Sequence, residues 1–387
     1  MSSLLTIQDV KDQARRRVPK MFFQHVDSGS WTGRTYQSNE EELTKIKFRS
    51  RVLVDISDRK LESTMIGEKV AMPVALAPTG LAGMQHADGE ILAAQAAEQF
   101  GVPFTLSTVS ICSIEDVAAA TTKPFWFQLY VMRDRKFVYD LIDRAKAARC
   151  SALVLTLDLQ IQGQRTTDIR NGLTTPPRFS LDHLLQIAAR PRWAMRMLRT
   201  RRHTFGNIVG HAEGVTGIGS MTNWVAKQFD QKLSWKDVDW IRERWGGKLI
   251  LKGVMTREDA LHAADSGCDA VIVSNHGGRQ LDGAPASISM LPDIIDAIGH
   301  RTEVHFDGGI RSGQDVLRAL CLGARGVYIG RPFLWGLGAA GREGVTHTLE
   351  ILRGQLDTTL ALCGGRDIHE ASPDMLHLQS NTDIPPR

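Results

Sequence analysis

The chain has 387 residues, of which 42% are hydrophobic and 23% charged, so it can bury a large core and is neither disordered nor collagen-like. Its 47 lysines and arginines against 43 aspartates and glutamates give a net charge of +4, too small an excess for a dedicated nucleic-acid-binding protein. The five cysteines are widely spaced without a Cys-x-x-Cys pair, which predicts neither a disulfide framework nor a metal site and fits a reducing cytoplasm.

Residues 1 to about 70 are predicted to form an N-terminal extension with an amphipathic helix over 7–18 and a second element over 39–46. The first residues, MSSLLTIQDVKDQARRR, place charges after apolar residues, which is the reverse of a signal peptide. Nor does any uninterrupted apolar stretch reach the roughly 18 residues that a spanning helix needs. We therefore expect a chain that is neither exported nor membrane-spanning.

From residue 72 onward, eight apolar, β-branched-rich runs alternate with stretches of helical periodicity. The runs cover residues 72–78, 103–107, 125–130, 152–158, 249–252, 270–275, 303–307 and 326–330, and the clearest helical stretches cover 89–100, 134–149, 235–245, 257–266 and 312–322. Continuous hydrophobicity is typical of strands buried on both faces, and eight such strand–helix units close a parallel (β/α)8 barrel. The sequence therefore predicts an α/β fold, a TIM (β/α)8 barrel over residues 72–370, within one domain of residues 1–387.

A long insertion is predicted after the fourth strand, over about residues 176–232. Its segment 178–203 has one acidic residue and is rich in arginine, interleaved with leucine, methionine and Trp193; the arginines are Arg178, Arg190, Arg192, Arg196, Arg199, Arg201 and Arg202. This pattern resembles an interfacial helix attracted to anionic lipid. The alternatives are a solvated arginine face over a barrel helix and a contact between subunits.

The residues that follow the predicted strands are mostly polar or glycine, and they lie where TIM barrels place catalytic groups. They are Thr79 and Gly80, Ser107, Gln128 and Tyr130, Thr156 and Asp158, Lys252, Ser274, His276 and Arg279, Asp307, Gly308, Gly309 and Arg311, and Gly330 and Arg331. One such residue alone is more often an ordinary turn residue. Polar groups at all eight strands instead predict a large polar site.

The last two strands carry the most specific pattern, a phosphate cradle. A glycine pair, Gly308 and Gly309, precedes Arg311 and a helix start, and Gly330 and Arg331 follow the eighth strand. Backbone amides, a helix N-terminus and two arginines favour a dianion at this end of a barrel. The alternative is that the glycines serve only tight turns. The glycine pattern of a Rossmann nicotinamide site is absent after the early strands.

Acid–base and carboxylate-binding groups also fall at the strand ends. His276 is placed as a general base with Asp158 to orient it, and Arg279 and Arg165 could grip a carboxylate, which suits proton removal from a 2-hydroxy acid. Lys252 has two interpretations: a Schiff-base nucleophile, or a fixed positive charge beside an anionic cofactor. The phosphate cradle favours the second.

Six segments resemble, in the same order, the FMN-dependent α-hydroxy acid dehydrogenases and oxidases, and within that family the bacterial L-lactate dehydrogenases. They are ALAPTGLAGM (75–84), PFTLSTVS (103–110), WFQLYVMRDR (126–135), SNHGGRQLDG (274–283), DGGIRSGQDVLRAL (307–320) and IGRP (329–332). The resemblance runs from about residue 5 to 370. It implies FMN as cofactor and oxidation of an L-2-hydroxy acid, with L-lactate converted to pyruvate as the closest match.

The resemblance also implies residue roles. His276 is the base for the α-hydroxyl proton, assisted by Asp158, while hydride transfer and a carbanion route both remain open. Arg279, Arg165 and Tyr130 bind substrate, and Lys252 lies beside flavin N1 and O2. The other implied flavin contacts are Thr79, Gly80, Ser107, Gln128, Thr156 and Ser274, with Asp307, Gly308, Gly309, Arg311, Gly330 and Arg331 at the ribityl and phosphate groups.

The chain departs from the family pattern at two positions. His25 stands where a tyrosine usually donates to the substrate carboxylate, so the charge of this group varies with pH. Val109 stands where plant glycolate oxidases carry tryptophan, as in the bacterial lactate dehydrogenases. We retain His25 as a substrate-binding candidate in a pocket of altered shape.

Two weaker sequence features bear on the identity of the electron acceptor. Gly80, where oxidases of the family usually carry alanine, and the basic apolar insertion resemble members that reduce a membrane quinone or a respiratory cytochrome. We expect a cytoplasmic homotetramer, peripheral on the inner face of the cytoplasmic membrane through residues 178–203. The alternative within the family is an oxidase that uses O2 and produces H2O2.

Two interpretations outside the family compete with this one. A flavin-free sugar-phosphate isomerase or aldolase would use Lys252 as a Schiff base. A degenerate barrel would serve only as a binding protein, with His25 as a first sign of decay. Against the second, His276, Arg279, Lys252, Asp158 and Tyr130 are all present.

Overall fold

The computed structural model describes residues 3–173, 180–215, 224 and 228–377. Its N-terminal extension begins with three helices and three short strands: α1 (Ile7–Arg17), α2 (Lys20–Val26), α3 (Arg34–Lys45), β1 (Lys47–Phe48), β2 (Ser63–Met65) and β3 (Glu68–Val70). Helix α1 starts in a capping box, in which Thr6 and Asp9 satisfy each other's backbone N–H groups. Its buried face carries Ile7, Val10 and Ala14.

Eight parallel strands form one barrel sheet: β4 (Val74–Leu76), β5 (Thr105–Ser107), β6 (Trp126–Leu129), β7 (Ala152–Thr156), β8 (Lys248–Val254), β9 (Ala270–Val273), β10 (Glu303–Asp307) and β11 (Gly326–Ile329). From β5 to β11 each strand pairs with the next along the chain, and β11 pairs with β4. A parallel bridge between Leu76 and Phe104 joins β4 to the start of β5, which completes the ring. The prediction of a TIM barrel from eight apolar runs is confirmed.

Most of the remaining helices cover the outside of the sheet, whereas α7, α8 and α9 lie in the long segment between β7 and β8. The helices are α4 (Gly89–Phe100), α5 (Ile114–Ala120), α6 (Arg135–Ala147), α7 (Thr166–Arg170), α8 (Leu181–Ala188), α9 (Pro191–Arg199), α10 (Trp235–Trp245), α11 (Arg257–Asp265), α12 (Ser287–Ile298), α13 (Gly313–Cys321), α14 (Arg331–Ala340) and α15 (Arg342–Leu362). Short 3-10 turns cover Ala82–Met84, Ile368–Glu370 and Pro373–Met375, and β12 (Leu376–His377) pairs with β1. The expected helices over 89–100 and 235–245 match α4 and α10. Each ends at a left-handed glycine, Gly101 and Gly246.

A small apolar core fills the barrel interior and closes its N-terminal end. Trp126 and Tyr328 fill it, with ring centroids 6.1 Å apart, opposite small residues such as Ala152 and Ala270. The hairpin of β2 and β3 caps the N-terminal end of the barrel and adds Met65 to the same cluster. Because this end is plugged, the carboxyl ends of the strands are left to form a site.

The insertion after β7 packs on the N-terminal extension through Trp193. This side chain stacks on Phe22 at a centroid distance of 5.3 Å and donates from Nε1 to the Met84 carbonyl at 3.0 Å. Trp193 is therefore buried, unlike the exposed apolar residues with which the sequence grouped it. Arg178 lies outside the described residues. Across the described ranges, no helix has the length and apolar character needed to cross a membrane.

Candidate active site

A chain of hydrogen bonds links the carboxyl ends of three neighbouring strands. Ser107 on β5 donates from Oγ to Gln128 Oε1 at 3.0 Å, and Gln128 on β6 donates from Nε2 to Thr156 Oγ1 on β7 at 3.0 Å. All three side chains are buried. Since each polar group has a fixed partner, this part of the site is rigid and could present its remaining lone pairs and protons to a ring system.

Lys252 is held at the centre of the strand ends. It is only 3% exposed, and its Nζ donates to Ser274 Oγ at 2.9 Å and lies 3.3 Å from Asp307 Oδ2. Ser274 in turn donates to the same carboxylate at 2.7 Å. Lys252 Nζ is thus held between a hydroxyl and a carboxylate, which suits a fixed positive charge rather than a Schiff-base nucleophile.

His276 and Asp158 form a buried pair across the barrel. Nδ1 of His276 lies 3.0 Å from Asp158 Oδ1 and 3.2 Å from Oδ2. Burial lowers the pKa of His276 and outweighs the opposing charge of Asp158. Burial opposes ionisation of Asp158, but the charge and hydrogen bond of His276 hold its pKa below the usual value. In the neutral imidazole that burial favours, Nδ1 faces the carboxylate and carries the proton, and Nε2 keeps the lone pair that a base needs.

Three further substrate-binding candidates lie together around this pair. Arg279 donates from Nη1 to the carbonyls of His25 and Ser28 at 2.6 and 3.0 Å. Arg165 has a buried Nε with no partner within the described residues. Burial lowers the pKa of both arginines, and it raises the pKa of the buried Tyr130 phenol. This part of the site carries uncompensated positive charge, which an anionic carboxylate would balance.

Asp168 is a site residue that the sequence analysis missed. It lies on α7, where its Oδ2 is 3.0 Å from His25 Nδ1 and 3.7 Å from Arg279 Nη2. Asp168 does not directly follow a barrel strand, which is where most of the predicted site residues lie, and it reaches the site from the loop after β7. Its position three residues after Arg165, at the start of the insertion, was the available signal.

The predicted phosphate residues lie where the N-terminal extension covers the barrel. Gly308 and Gly309 have φ angles of 130° and 81°, which only glycine adopts readily. Arg311 pairs with Glu40 at 2.8 Å. Arg331 donates to the carbonyls of Val26 and Ser28, both at 2.9 Å. Both guanidinium groups flank the Tyr36 ring. Their role at a phosphate stays a prediction.

The carboxyl ends of the first and eighth barrel strands, β4 and β11, lie side by side. A Cβ added at Gly330 would lie 3.7 Å from Thr79 Cγ2, so these two predicted cofactor contacts are neighbours. A Cβ added at Gly80 would come within 2.7 Å of Val109 Cγ2. A side chain at position 80 would therefore collide with Val109, which links Gly80 to one of the two departures from the family pattern.

The charge balance at this end of the barrel tests whether FMN fits. The buried or nearly buried cations are Lys252, Arg165, Arg279 and Arg331, and the carboxylates around them are Asp158, Asp168 and Asp307. Burial lowers the pKa of Arg331, Arg165 and Arg279, although Asp27 and Glu40 oppose this effect at Arg331, so these guanidinium groups are desolvated and an anion beside them would be favourable. A phosphate and a substrate carboxylate would supply the missing negative charge, so the residues fit FMN and a 2-hydroxy acid.

A (β/α)8 barrel plugged at one end, with a buried lysine, a histidine–aspartate pair and several buried or nearly buried arginines at its strand ends, fits the flavin-dependent class of barrel oxidoreductases. Residues 14–378 match the model of the family described as FMN-dependent dehydrogenase. The chain belongs to this family and is an FMN-dependent oxidoreductase.

Similar proteins agree with this assignment. The chain is 45% identical to an L-lactate dehydrogenase of Caulobacter vibrioides over 369 residues, 95% of this chain and 96% of the relative. It superposes on a monotopic membrane (S)-mandelate dehydrogenase with a TM-score of 0.93 and 34% identity, covering 97% of this chain and 99% of the other. A mandelate oxidase matches with a TM-score of 0.82 and 35% identity over 96% and 98%.

These findings confirm the predicted family, cofactor and enzyme class. The isomerase or aldolase interpretation and the non-catalytic binding protein are set aside, because family membership holds over nearly the whole chain. The structure brings His276, Asp158, Arg279 and Lys252 to one end of the barrel. Their individual roles remain predictions.

Proposed function

We propose that this enzyme oxidises a short L-2-hydroxy acid, L-lactate to pyruvate first among them. The observation that carries the proposal is the neutral His276, held by Asp158 beside the undercompensated charge of Arg279 and Arg165. A base next to a carboxylate site is the arrangement that a 2-hydroxy acid requires. The similarity to L-lactate dehydrogenase supports lactate in particular.

In the proposed mechanism, Arg279 and Arg165 bind the substrate carboxylate and Tyr130 donates a hydrogen bond to the substrate. Nε2 of His276 takes the hydroxyl proton, and Asp158 stabilises the imidazolium that results. FMN, when bound, would accept the two electrons and the hydrogen that leave Cα. Ser274 and Asp307 hold Lys252 Nζ at the strand ends, where the lysine serves as the fixed cation of the site.

The test is an anaerobic visible spectrum of the purified holoenzyme before and after L-lactate, glycolate and L-mandelate. We expect the flavin bands to bleach with L-lactate faster than with the other two acids. L-Mandelate is the informative competitor, because the similar structures include mandelate enzymes. Flavin that none of the three acids bleaches would refute the proposal and leave the cofactor assignment standing.

We propose a membrane quinone or a respiratory cytochrome as the electron acceptor, reached from a membrane-bound homotetramer on the cytoplasmic face. Helices α8 and α9 of the insertion expose leucines to an unusual degree: Leu181 by 77%, Leu184 by 60%, Leu185 by 64% and Leu198 by 84%. Around them, Arg192, Arg199 and Arg201 are exposed and form no ion pair with a described residue. An apolar surface with free arginines suits an anionic lipid surface.

The mandelate oxidase similarity favours a second candidate, an oxidase that passes electrons to O2. Vesicles with anionic lipid and ubiquinone separate the two. We expect the enzyme to sediment with these vesicles, less so at high salt, and to reduce the quinone with L-lactate without stoichiometric H2O2. The variant Leu184→Ser/Leu185→Ser/Leu198→Ser should lose both effects but keep anaerobic bleaching. Stoichiometric peroxide at the rate of quinone reduction would favour the oxidase instead.

A further inference from the structure

His25 and Asp168 form a buried pair beside the substrate-binding arginines. Nδ1 of His25 lies 3.0 Å from Asp168 Oδ2, at ion-pair distance but without the alignment of an ideal hydrogen bond. The His25 carbonyl accepts from Arg279 at 2.6 Å, which fixes the histidine against that guanidinium. Asp168 is 6% exposed, and its Oδ1 has no partner within the described residues.

The pair determines where the proton of His25 lies. A lone pair on Nδ1 would face the carboxylate of Asp168 and be repelled by it, so Nδ1 carries the proton in the neutral ring. Nε2 then has a lone pair and no proton. Within the described part of the chain, no hydrogen bond is made by Nε2. Neutral His25 can therefore accept at Nε2 but cannot donate there.

The charges around His25 keep it neutral in the absence of an anion. Burial lowers its pKa, and Arg279 and Arg165 lower it further, against the opposing effect of Asp168. Helix α7 contributes Asp168 and is preceded by Arg165, and the loop after β9 contributes Arg279. On the adjoining helix α1, Lys11 is already paired with Asp27 at 2.8 Å. Two positive charges thus face one negative charge, and a third positive charge is unfavourable.

A bound carboxylate changes this balance. It brings one negative charge to Arg279 and Arg165, so the local excess of positive charge disappears and protonation of His25 becomes more favourable. Protonation also converts Nε2 from an acceptor into a donor that the carboxylate can use. A tyrosine at this position would donate its hydroxyl proton without any such change.

We propose that His25 binds the substrate carboxylate as an imidazolium, so that substrate binding takes up one proton, with Asp168 as the positioning residue that fixes the histidine tautomer. This inference rests on the proposed function, because it assumes a carboxylate substrate at Arg279. It makes affinity, and not only rate, depend on pH.

The sign of the pH dependence follows from linkage. When the protonated form binds the anion, the dissociation constant is flat below the His25 pKa of the free enzyme. It then rises by up to tenfold per pH unit until the higher pKa of the complex is reached. Protonation of His276 acts in the opposite direction on turnover, because it removes the base at low pH. His25 therefore determines how the dissociation constant depends on pH, and His276 determines how turnover falls at low pH.

Propionate isolates the His25 effect. It has the carbon chain and carboxylate of lactate but no oxygen on Cα, so it offers His276 nothing to bond. The oxidised holoenzyme is titrated with propionate at about pH 6 to 9, following the flavin spectrum. Calorimetry in two buffers of different ionisation enthalpy counts the protons taken up. We expect close to one proton per propionate and a dissociation constant that rises with pH.

Variants identify the group that titrates. His25→Tyr should bind propionate with a pH-independent dissociation constant and no proton uptake. Asp168→Asn should shift the rise to lower pH, because the His25 pKa loses the support of the carboxylate. It provides a second test if the tyrosine variant fails to bind FMN. His211→Gln is the control, since it removes another histidine of lowered pKa, beside Arg144, and should behave as the wild type.

Other outcomes decide against the inference in different ways. A flat dissociation constant and no proton uptake in the wild type, in enzyme that L-lactate still bleaches, would overturn the inference and leave the proposed function intact. Unchanged proton uptake in His25→Tyr would assign the proton to another group. Flavin that no 2-hydroxy acid bleaches would overturn the proposed function and this inference with it.

Discussion

Replacing His276 with alanine should leave FMN bound and lower the rate of flavin reduction by L-lactate by about 10²- to 10⁴-fold, the range for loss of a general base. The physical reason is the pair with Asp158, which keeps Nε2 of a neutral imidazole available for the hydroxyl proton. Binding of a carboxylate should change much less, because Arg279 and Arg165 are untouched.

The rate is measured by anaerobic stopped-flow at the flavin absorbance, and FMN content is measured in the same sample. His300→Ala is the matched control, because His300 is an exposed histidine in the turn after α12. The wild-type rate should also fall at low pH, and burial lowers the pKa of His276, so this limb lies below the usual histidine range. A near wild-type rate in His276→Ala would show that another group is the base.

Replacing Lys252 with methionine should lower the reduction potential of bound FMN and slow its reduction by about 10²- to 10³-fold, the cost of removing one preorganised charge from a site. Methionine keeps much of the length and packing but removes the ammonium that Ser274 and Asp307 hold. The loss also leaves Asp307 without its cation, so we expect the protein to be destabilised by about 3 to 5 kcal/mol.

The potential is measured by reductive titration against a reference dye, and stability by urea unfolding. Lys248→Met is the control on the same strand, because Lys248 lies at the opposite end of β8, exposed and paired with Asp269 at 2.9 Å. It should change neither potential nor rate. An unchanged potential in Lys252→Met would separate the lysine from the flavin and reopen its role.

Much of the site followed from the sequence, because barrel topology converts strand order into proximity. His276 and Asp158 are 118 residues apart, yet both follow buried strands of the same parallel barrel, so their meeting could be predicted. The same topology brings Lys252 to Ser274 and Asp307 at the ends of the next two strands. The resemblance then supplied the cofactor, which periodicity alone could not.

Contacts made where the chain leaves the barrel were not predictable from the sequence. In the segment 178–203, Trp193 was grouped with the other apolar residues, but it turns inward to Phe22 and the Met84 carbonyl. Arg331 donates to the carbonyls of Val26 and Ser28 in the N-terminal extension, contacts that the sequence did not predict, and its phosphate role stays a prediction. Amphipathic spacing predicts an apolar face on a helix, but it does not predict which part of the protein packs on that face.

The sequence by itself predicted the eight-stranded barrel from its buried strands, and its strand-end motifs carried the resemblance that implied the family and the cofactor. Only the tertiary structure decided which groups share a charge environment. His25 and Asp168 come from two helices outside the barrel and meet at Arg279, a contact that no spacing rule predicts. Charge compensation in a buried site depends on distances between segments remote in sequence, and these are fixed only when the extension and the insertion pack on the barrel.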